Sequence, residues 1–596
     1  MPFVIIQPRR IRESLKIPAS IGVDLLMLLV VGGIVGALFS FGKELTAPTR
    51  HTVEINLSLW ALPKYTLYSL TRGFSAYGLS LMFTLAYGSL AAHSHRAERI
   101  MIPALDILQS LPVLTFLPGL VLAMTHLMPS RQLGLEIACV VMIFTGQAWN
   151  MAFSYYSTVR QVPPNLREVA AVHHMRWWQV FRVIELPASM IGLVWNSMMS
   201  FAGGWFVLNV TEAFTLNNQN FQLPGLGSYM YAANQANDHV AQAAGIVAMM
   251  LMIVAVDQLF WRPIVVWSER FKVEETAQSE KPKSWFLSMV QHSLLYPWLV
   301  RQVHLARQRT AERSAARRNS SDATAVATPV PDEKRSPWQQ VATVATIVIV
   351  LGGMIFGMIW GAWQLLRLLH DLPLHNSSGD DWIGVVLALL ASFGRVLATV
   401  LLGTIWALPA GILIGLSPRW SQRLQPIVQV LASFPANMVY PPIVLFLLYI
   451  HIPFNIGCIG LMLLGTQWYV LFNVIAGAMA IPTELKEVAR VYHTPRLRRW
   501  MRIYIPGVFP HLVTGLITAA GGAWNTTIVA EYVLGHNNVA YTAYGIGAVI
   551  DRATSDGNYP LEAAAAVTMA LAVVVINRFM WRKLYRLAER RYSMDV

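Results

Sequence analysis

The chain has 596 residues, of which 55% are hydrophobic and only 13% are charged. Ordinary soluble domains carry about 25% charged residues, so this composition excludes a soluble protein and indicates a membrane protein. The net charge of +14 matches the positive-inside rule, since most Lys and Arg fall in cytoplasmic segments when the RRIRESLK end is placed there. We therefore predict no nucleic-acid partner.

Apolar segments of roughly 20 residues recur along the chain, and each is long enough to cross a bilayer as a helix. Clear examples are residues 21–41, 243–261 and 341–360. About 12 such spans predict an all-α polytopic membrane protein with both termini in the cytoplasm. The cysteines Cys139 and Cys458 lie in apolar spans, and no disulfide framework or metal cluster is expected from them.

The chain carries its sequence pattern twice. Adding 323 to a residue number carries Arg72 onto Arg395 and three prolines onto prolines. After a small change in length, adding 319 carries Cys139 onto Cys458 and Glu212 onto Glu531. This register predicts two parallel repeats of six helices each, with the same orientation in the membrane.

The duplication divides the chain into three segments. We assign residues 1–266 to the first half and residues 338–596 to the second. Residues 267–337 between them are rich in charge, which predicts a cytoplasmic linker. Within this linker, residues 284–303 mix large apolar and polar side chains and predict a helix that lies in the membrane interface.

Each half contains one polar segment after its fourth span, at residues 162–187 and 481–506. Their centres read REVAAVHHMRWWQVFRVIELP and KEVARVYHTPRLRRWMRIYIP, with a proline 19 residues after the glutamate in both. Each begins like a short helix with an apolar face. A single copy would be read as a linker helix on the membrane surface, but two copies at one topological position favour a helix that docks on a soluble partner.

These two segments resemble the coupling-loop signature E-A-A-x-x-x-G-x9-I-x-L-P of permeases in binding-protein-dependent ABC importers. The matching residues are Glu168, Ala170, Ile184, Leu186 and Pro187 in the first half, and Glu487, Ala489, Ile503 and Pro506 in the second. Both copies depart identically, since His174 and His493 replace the middle glycine and Val169 and Val488 replace the first alanine.

The resemblance is closest to the nitrate, sulfonate and taurine type of permease. Its members share an Arg early in the second span, a proline-rich span, and an A-E sequence followed by G-L-G. The corresponding residues here are Arg72 and Arg395, Pro112, Pro118, Pro435 and Pro441, Glu212 with Gly225-Leu226-Gly227, and Glu531 with Gly545-Ile546-Gly547. The resemblance implies a type I ABC importer permease fold, with two units fused in one chain.

The resemblance also implies the partners and roles. Two copies of an ATPase subunit would bind ATP and Mg, one beneath each coupling helix, and an extracytoplasmic binding protein would deliver the solute to one fused chain per complex in the cytoplasmic membrane. The coupling residues would include His174 and His493 besides those matching the signature. The sequence has no G-x-x-x-x-G-K-[ST] motif, so the chain is expected to be no enzyme by itself.

Candidate residues for the substrate path are the charged residues near the outer ends of spans. Arg72 and Arg395 are predicted either to attract an anion at the outer mouth or to snorkel towards the lipid headgroups. Glu212 and Glu531 are predicted to contact a binding protein or the arginines, or to be solvated. No cofactor is expected on this chain, and the histidines at 173, 174 and 493 offer no metal ligand set.

The leading prediction is therefore the permease of an ATP-driven importer for a small anion such as nitrate, a sulfonate, taurine or bicarbonate. An ion-coupled secondary transporter with two six-helix halves is the alternative. That class places acidic residues inside spans, whereas Asp24 in the first span has no equivalent in the second half. A scaffold or sensor is a third class, but the linker is too polar to form a signalling domain.

Overall fold

The computed structural model describes residues 42, 54–110, 112–128, 131–217, 219–271, 284–291, 301, 363–374, 380–535 and 539–592. Contacts within the chain divide it into two compact units. One unit comprises Ala37–Ser279 and Arg367–Val596 and contains the described spans of both halves. The predicted boundaries at 266/267 and 337/338 follow the sequence repeat and stay a prediction.

The other unit comprises Met1–Gly36 and Glu280–Leu366. Its described part includes the helix Trp285–Gln291, which lies within the predicted interfacial helix 284–303. The predicted spans 21–41 and 341–360 and most of the predicted linker 267–337 lie outside the described residues.

The described helices of the first half follow one another in a simple order. Their ranges are α1 Leu62–His93, α2 His95–Ser110, α3 Leu117–Leu127, α4 Arg131–Arg160, α5 Pro164–Val172, α6 Leu186–Glu212, α7 Leu226–Gln235 and α8 His239–Val256. Short helices precede α6 at Trp177–Val180 and Phe181–Glu185, and others extend α8 to Phe271.

The second half repeats this order after the helix Trp285–Gln291, which is α9. Its ranges are α10 Trp382–Leu416, α11 Pro418–Ser433, α12 Tyr440–Tyr449, α13 Phe454–Ala480, α14 Thr483–Val491, α15 Ile505–Ala530, α16 Ile546–Asp556, α17 Tyr559–Ile576 and α18 Arg582–Tyr592. The predicted tandem repeat is therefore visible as a repeat of structure.

Eight helices among the described residues are long and apolar enough to cross a membrane, or nine if one bent pair is a single span. The prediction of an all-α polytopic membrane protein is confirmed. Neighbouring spans approach closely at small residues, as membrane helices do in the absence of a hydrophobic driving force between them. For example, a Cβ added to Gly415 of α10 would lie 2.6 Å from the carbonyl oxygen of Ile475 in α13.

The third span of each half is broken rather than continuous. In the first half a 3₁₀ turn at Val113–Phe116 separates α2 from α3, and in the second half Ala436–Val439 separates α11 from α12. Pro112 and Pro435 stand directly before these turns in extended conformation. Proline has no N–H and disfavours helix in the residue before it, so the helix ends there.

Two short β-hairpins, which the sequence analysis did not predict, follow α6 and α15. Their strands are β1 Ala213–Leu216 with β2 Gln219–Gln222, and β3 Tyr532–Leu534 with β4 Ala540–Thr542, both antiparallel. The two halves meet at this end, since the N–H of Asn217 in the first hairpin donates to the carbonyl of Thr554, in the helix after the second hairpin, at 3.1 Å. The side-chain amide of Asn234 also donates to the Leu534 carbonyl at 2.7 Å.

Because each hairpin contacts the helix that follows the hairpin of the other half, the equivalent ends of the two halves lie at the same end of the bundle. The halves are therefore parallel, and one buried apolar cluster includes residues of both. The broken span of the first half also packs on α15 of the second, where the N–H of Val113 donates to Oδ1 of Asn525 at 2.6 Å. That bond satisfies a backbone donor that the break has left without a helical partner.

Candidate functional site

The first polar segment forms helix α5 and ends in a specific turn. The N–H of His174 donates to the Ala171 carbonyl, and the N–H of Met175 donates to the Ala170 carbonyl at 2.9 Å. These two bonds define a Schellman motif, which satisfies the last carbonyl groups of the helix. Its middle residue, His174, adopts φ +47°, in the left-handed region that glycine enters most easily.

The second polar segment repeats this geometry in helix α14. The N–H of Thr494 donates to the Ala489 carbonyl at 3.2 Å, and His493 adopts φ +43°. The position where the resembling signature has glycine is therefore a left-handed position in both halves. This explains the glycine of the signature by backbone conformation, and histidine occupies the same conformation here at a cost in strain.

The two helices bury one side and expose the other. Ala170 and Ala489 are buried, whereas Glu168 and Glu487 are exposed. Large apolar side chains accompany the glutamates on the exposed surface: Leu166, Val169, Val172, Leu485 and Val491. The small alanine therefore lies on the buried side of each helix, and an apolar and acidic face is exposed.

Each helix leads into the next span through the same irregular turn. Phe181–Glu185 and Trp500–Tyr504 are π-helical, and Pro187 and Pro506 follow at the start of α6 and α15. A proline cannot donate to the preceding turn, so a wider turn before it relieves the clash. The predicted coupling residues Ile184 and Ile503 are half-buried within these turns.

At the opposite end of the first half, a buried guanidinium joins several elements. Arg72 donates to the Glu136 carboxylate through Nε and Nη2, both at 2.6 Å. Its Nη1 donates to Glu212 at 2.7 Å and to the Pro224 carbonyl at 2.8 Å. Ser69 donates to Glu212 at 2.7 Å. The arginine and both carboxylates are buried, so each charge depends on its partners in place of water.

The second half has the same arrangement with one substitution. Arg395 donates to Glu531 at 2.9 Å and to the Tyr544 carbonyl at 2.8 Å. Ser392 donates to Glu531 at 2.7 Å. At the position of Glu136 stands Asn455, whose side-chain and backbone oxygens accept from the guanidinium at 3.0 and 3.1 Å. We call each arrangement an arginine lock.

The glycine pairs of the sequence complete the locks. Gly227 donates its N–H to Glu212 at 2.7 Å, and Gly547 donates to Glu531 at 2.9 Å. Gly225 and Gly545 stand two positions before these glycines. A Cβ added to either would lie 2.3 Å from the carboxylate of its own half. Only glycine allows this approach, so each lock ties the chain after the hairpin back onto the first described span.

The placement of Arg72, Arg395, Glu212 and Glu531 differs from the expectations of snorkelling and solvation. Arg72 and both glutamates are fully buried, and Arg395 is nearly so. Each arginine contacts the glutamate of its own half, which was one of the expected contacts. A role in the substrate path stays a prediction for these four residues, because none of them lines the cavity described next.

A cavity of about 190 Å³ lies between the two halves at their hairpin ends. Both broken spans, both hairpins and the helices after them line it, so equivalent elements face each other across it. Its polar lining is different in the two halves: Asn209, Thr215, Tyr231 and Asn234 from the first, and Asn437, Tyr532, Asp551, Thr554 and Ser555 from the second. Broken helices around a central cavity are typical of transporters.

The sequence names Pro118, Pro441 and Gly227 of the cavity lining, but it did not lead to the polar side chains of the cavity or to Glu136 of the first lock. Glu136 could have been found, since it is a carboxylate near the start of an apolar span and such groups are functional candidates. The amides and hydroxyls of the cavity have no such signal. These side chains share only their position in one cavity wall, and that wall is formed by elements far apart in sequence.

Comparison with known proteins identifies a match in both halves. The family described as binding-protein-dependent transport system inner membrane component matches residues 84–260 and 407–593. Each match covers one of the repeated halves, from the second span through the last. The predicted resemblance is confirmed.

Several relatives match about a third of this chain each. A nitrate import permease protein of Leptolyngbya laminosa is 30% identical over 240 residues, which is 37% of this chain and 81% of the relative. A bicarbonate transport system permease protein of a Synechocystis species is 32% identical over 28% of this chain and 58% of its own length. The taurine transport system permease protein of Escherichia coli is 24% identical over 34% and 69%.

The first prediction concerns the arginine lock of the first half. We expect Glu212→Ala to lower the free energy of unfolding by about 3–5 kcal/mol, because it breaks a buried ion pair and leaves several donors unsatisfied. Glu136→Asn recreates the composition of the second half and should have a clearly smaller effect. Thermal unfolding of the purified variants in detergent measures both, and equal losses would contradict the assigned roles.

The second prediction concerns the left-handed turns. We expect His174→Gly to stabilise the helix end by about 1 kcal/mol, since glycine adopts positive φ without strain. His174→Val should destabilise it, because a β-branched side chain is least compatible with that conformation. Hydrogen exchange of the Met175 amide reports on the turn directly. Faster exchange in the glycine variant would show that the histidine side chain itself holds the turn.

Proposed function

The chain belongs to the family of binding-protein-dependent transport system inner membrane components, and on this premise we propose that it is the fused permease of an ATP-driven importer for a small anion. It would lie in the cytoplasmic membrane with both termini inside. Nitrate, bicarbonate and taurine are named in the relatives, and they define the range of solutes that we propose.

The observation that carries this proposal is the pair of equivalent helices α5 and α14. They have the same capping turn and the same buried alanine. Both lie at the end of the bundle opposite the hairpins, since α6 and α15 run from the polar segments to the hairpins. Two matching surfaces at one end of a parallel pair suit two copies of one soluble subunit.

We propose that each helix docks in a groove of one ATPase subunit. The exposed fraction is 76% for Val172 and 73% for Val491, so apolar area is available on the side that also bears the glutamates. An apolar anchor within a charged rim is the usual composition of such a helix-in-groove contact. The ATPase would bind ATP and Mg on its own chain, because this chain has no phosphate-binding G-x-x-x-x-G-K-[ST] loop.

Coupling would then proceed by rigid-body motion of the two halves. Each coupling helix is fixed to its own half, and Arg167 in α5 donates to the Val159 carbonyl at the end of α4 at 2.8 Å. Closure of the ATPase pair would move both helices together and rock the halves about the cavity between them. Solute released by the binding protein would enter this cavity at the hairpin end.

The assembly itself supplies the first test. We expect native mass spectrometry of the complex from its own membrane to give one copy of this 66.4 kDa chain with two ATPase subunits. A chain that remains alone in several mild detergents would contradict the importer proposal and favour the ion-coupled alternative.

The second test reverses the charge on the coupling helices. We expect the double variant Glu168→Arg and Glu487→Arg to weaken ATPase association by about tenfold or more, equivalent to about 1.4 kcal/mol, with the spans still folded. Glu54→Arg makes the same charge change at an exposed site near the hairpin end and serves as the matched control. Wild-type, substrate-stimulated ATP hydrolysis in the double variant would contradict the coupling assignment.

A further inference from the structure

The polar groups of the cavity between the halves include unpaired hydrogen-bond acceptors. Oδ1 of Asn209 and Oδ1 of Asn437 are buried without a partner, and so is the Thr554 hydroxyl. Asn437 and Thr554 are more than nine-tenths buried, and all three residues line the cavity. An unpaired buried polar group is destabilising, so these groups are suited to a ligand that bonds to them.

The orientation of the Asn437 amide is determined by its surroundings. Its Nδ2 faces the Phe206 carbonyl at 3.5 Å, a contact that only the nitrogen end can make favourably. Oδ1 must therefore be the end without a partner, and it can only accept a hydrogen bond. A ligand that uses this group has to bring an N–H or O–H donor.

One carboxylate, that of Asp551, lies in the same wall. Among the described residues that line the cavity, none is Lys or Arg, and the neighbouring Arg552 donates to Asp380 at 2.6 Å instead. The titratable groups around Asp551 are Tyr231 across the interface, Tyr532 in β3 and the acidic Asp556 of its own helix. The charged pair Arg395 and Glu531 is engaged in the arginine lock of the same half.

The acidic group is present on one side only. With the register of Gly225 on Gly545, Asp551 occupies the place of Tyr231, and Thr554 that of Asn234. Similarly, Asn437 faces across from Leu114, its equivalent in the first half. The two halves therefore present different chemistry to one ligand, which gives that ligand a preferred orientation.

We propose that this cavity selects small zwitterions that carry one anionic group and one ammonium group, with Asp551 as the counter-ion of the ammonium group and Asn209, Asn437 and Thr554 as hydrogen-bond partners of its N–H donors. The anionic part of this inference rests on the proposed function, whereas the ammonium group comes from the cavity. Taurine has both groups, and nitrate and bicarbonate have no ammonium group.

The competing arrangement is a protonated Asp551 that donates to a simple anion. Burial raises the pKa of Asp551 to about 7, so the ionised fraction increases as the pH rises through neutrality. Binding of an ammonium group should therefore strengthen from pH 6 to pH 8, whereas binding of a simple anion to the protonated acid should weaken. The direction of the pH dependence separates the two arrangements.

The test uses two ligands that differ by one amino group. Radiolabelled taurine is bound to the full chain in lipid nanodiscs, and ethanesulfonate competes. We expect ethanesulfonate to compete at least tenfold less well than unlabelled taurine, and Asp551→Asn to weaken taurine binding by about tenfold without affecting ethanesulfonate. Glu54→Gln removes an exposed carboxylate that does not line the cavity and should leave both affinities unchanged.

A second variant controls for the case in which Asp551→Asn fails to fold. Asn437→Leu removes an acceptor from the other wall and should also weaken taurine binding in chains that remain monodisperse. Equal competition by the two ligands, unchanged taurine binding in both variants, or absence of taurine binding to the wild type would each overturn the inference. If one of these three outcomes appears although the chain forms the complex with its ATPase, this inference fails and the proposed function stands. If the complex does not form, the proposed function fails.

Discussion

A buried guanidinium that has no access to water must keep every one of its partners, and the hairpin end of each half is organised by that constraint. Arg72 and Arg395 hold the glutamate at the end of the fifth span, which in turn holds the N–H groups that begin the next helix. The elements that line the central cavity are thereby fixed to their own half. Motion of one half against the other is less costly than motion within a half.

The two halves share their structural motifs but differ in the side chains that line the cavity. The left-handed turn, the π-helical turn before proline and the arginine lock occur in both halves. The cavity wall does not repeat, since Asp551 stands where the first half has Tyr231. The end opposite the hairpins also differs, because Glu98 accepts from Tyr156 at 2.6 Å, whereas its equivalent is Ser421. Fusion in one chain allows this, because the two halves need no longer be identical.

The sequence predicted what depends on local pattern and on the repeat. Span lengths, the tandem register and the positions of the polar segments follow from periodicity and from special residues such as Pro187 and Pro506. Pro112 and Pro435 belong to the predicted proline-rich spans, but the breaks in the helices at these prolines were not predicted. The pairing of Arg72 with Glu136 and the unpaired amide of Asn437 could not be predicted, since they depend on contacts between distant segments. The sequence alone also gives no reason for glycine at the position of His174 and His493 in the coupling signature. The positive φ of both residues supplies that reason.

The part of the cavity wall that the structure describes has no cationic side chain, and this bears on how an anion could pass through it. A bare anion beside the Asp551 carboxylate would be repelled in an environment where charges are weakly screened. A solute that carries its own ammonium group has no net charge and can place that group against the carboxylate. The wall then needs no arginine, and Arg72 and Arg395 are available for holding the structure together. In the proposed arrangement, selectivity would depend on Asp551. Arg72 and Arg395, which the sequence predicts either to attract an anion or to snorkel, hold the structure together through their buried glutamates.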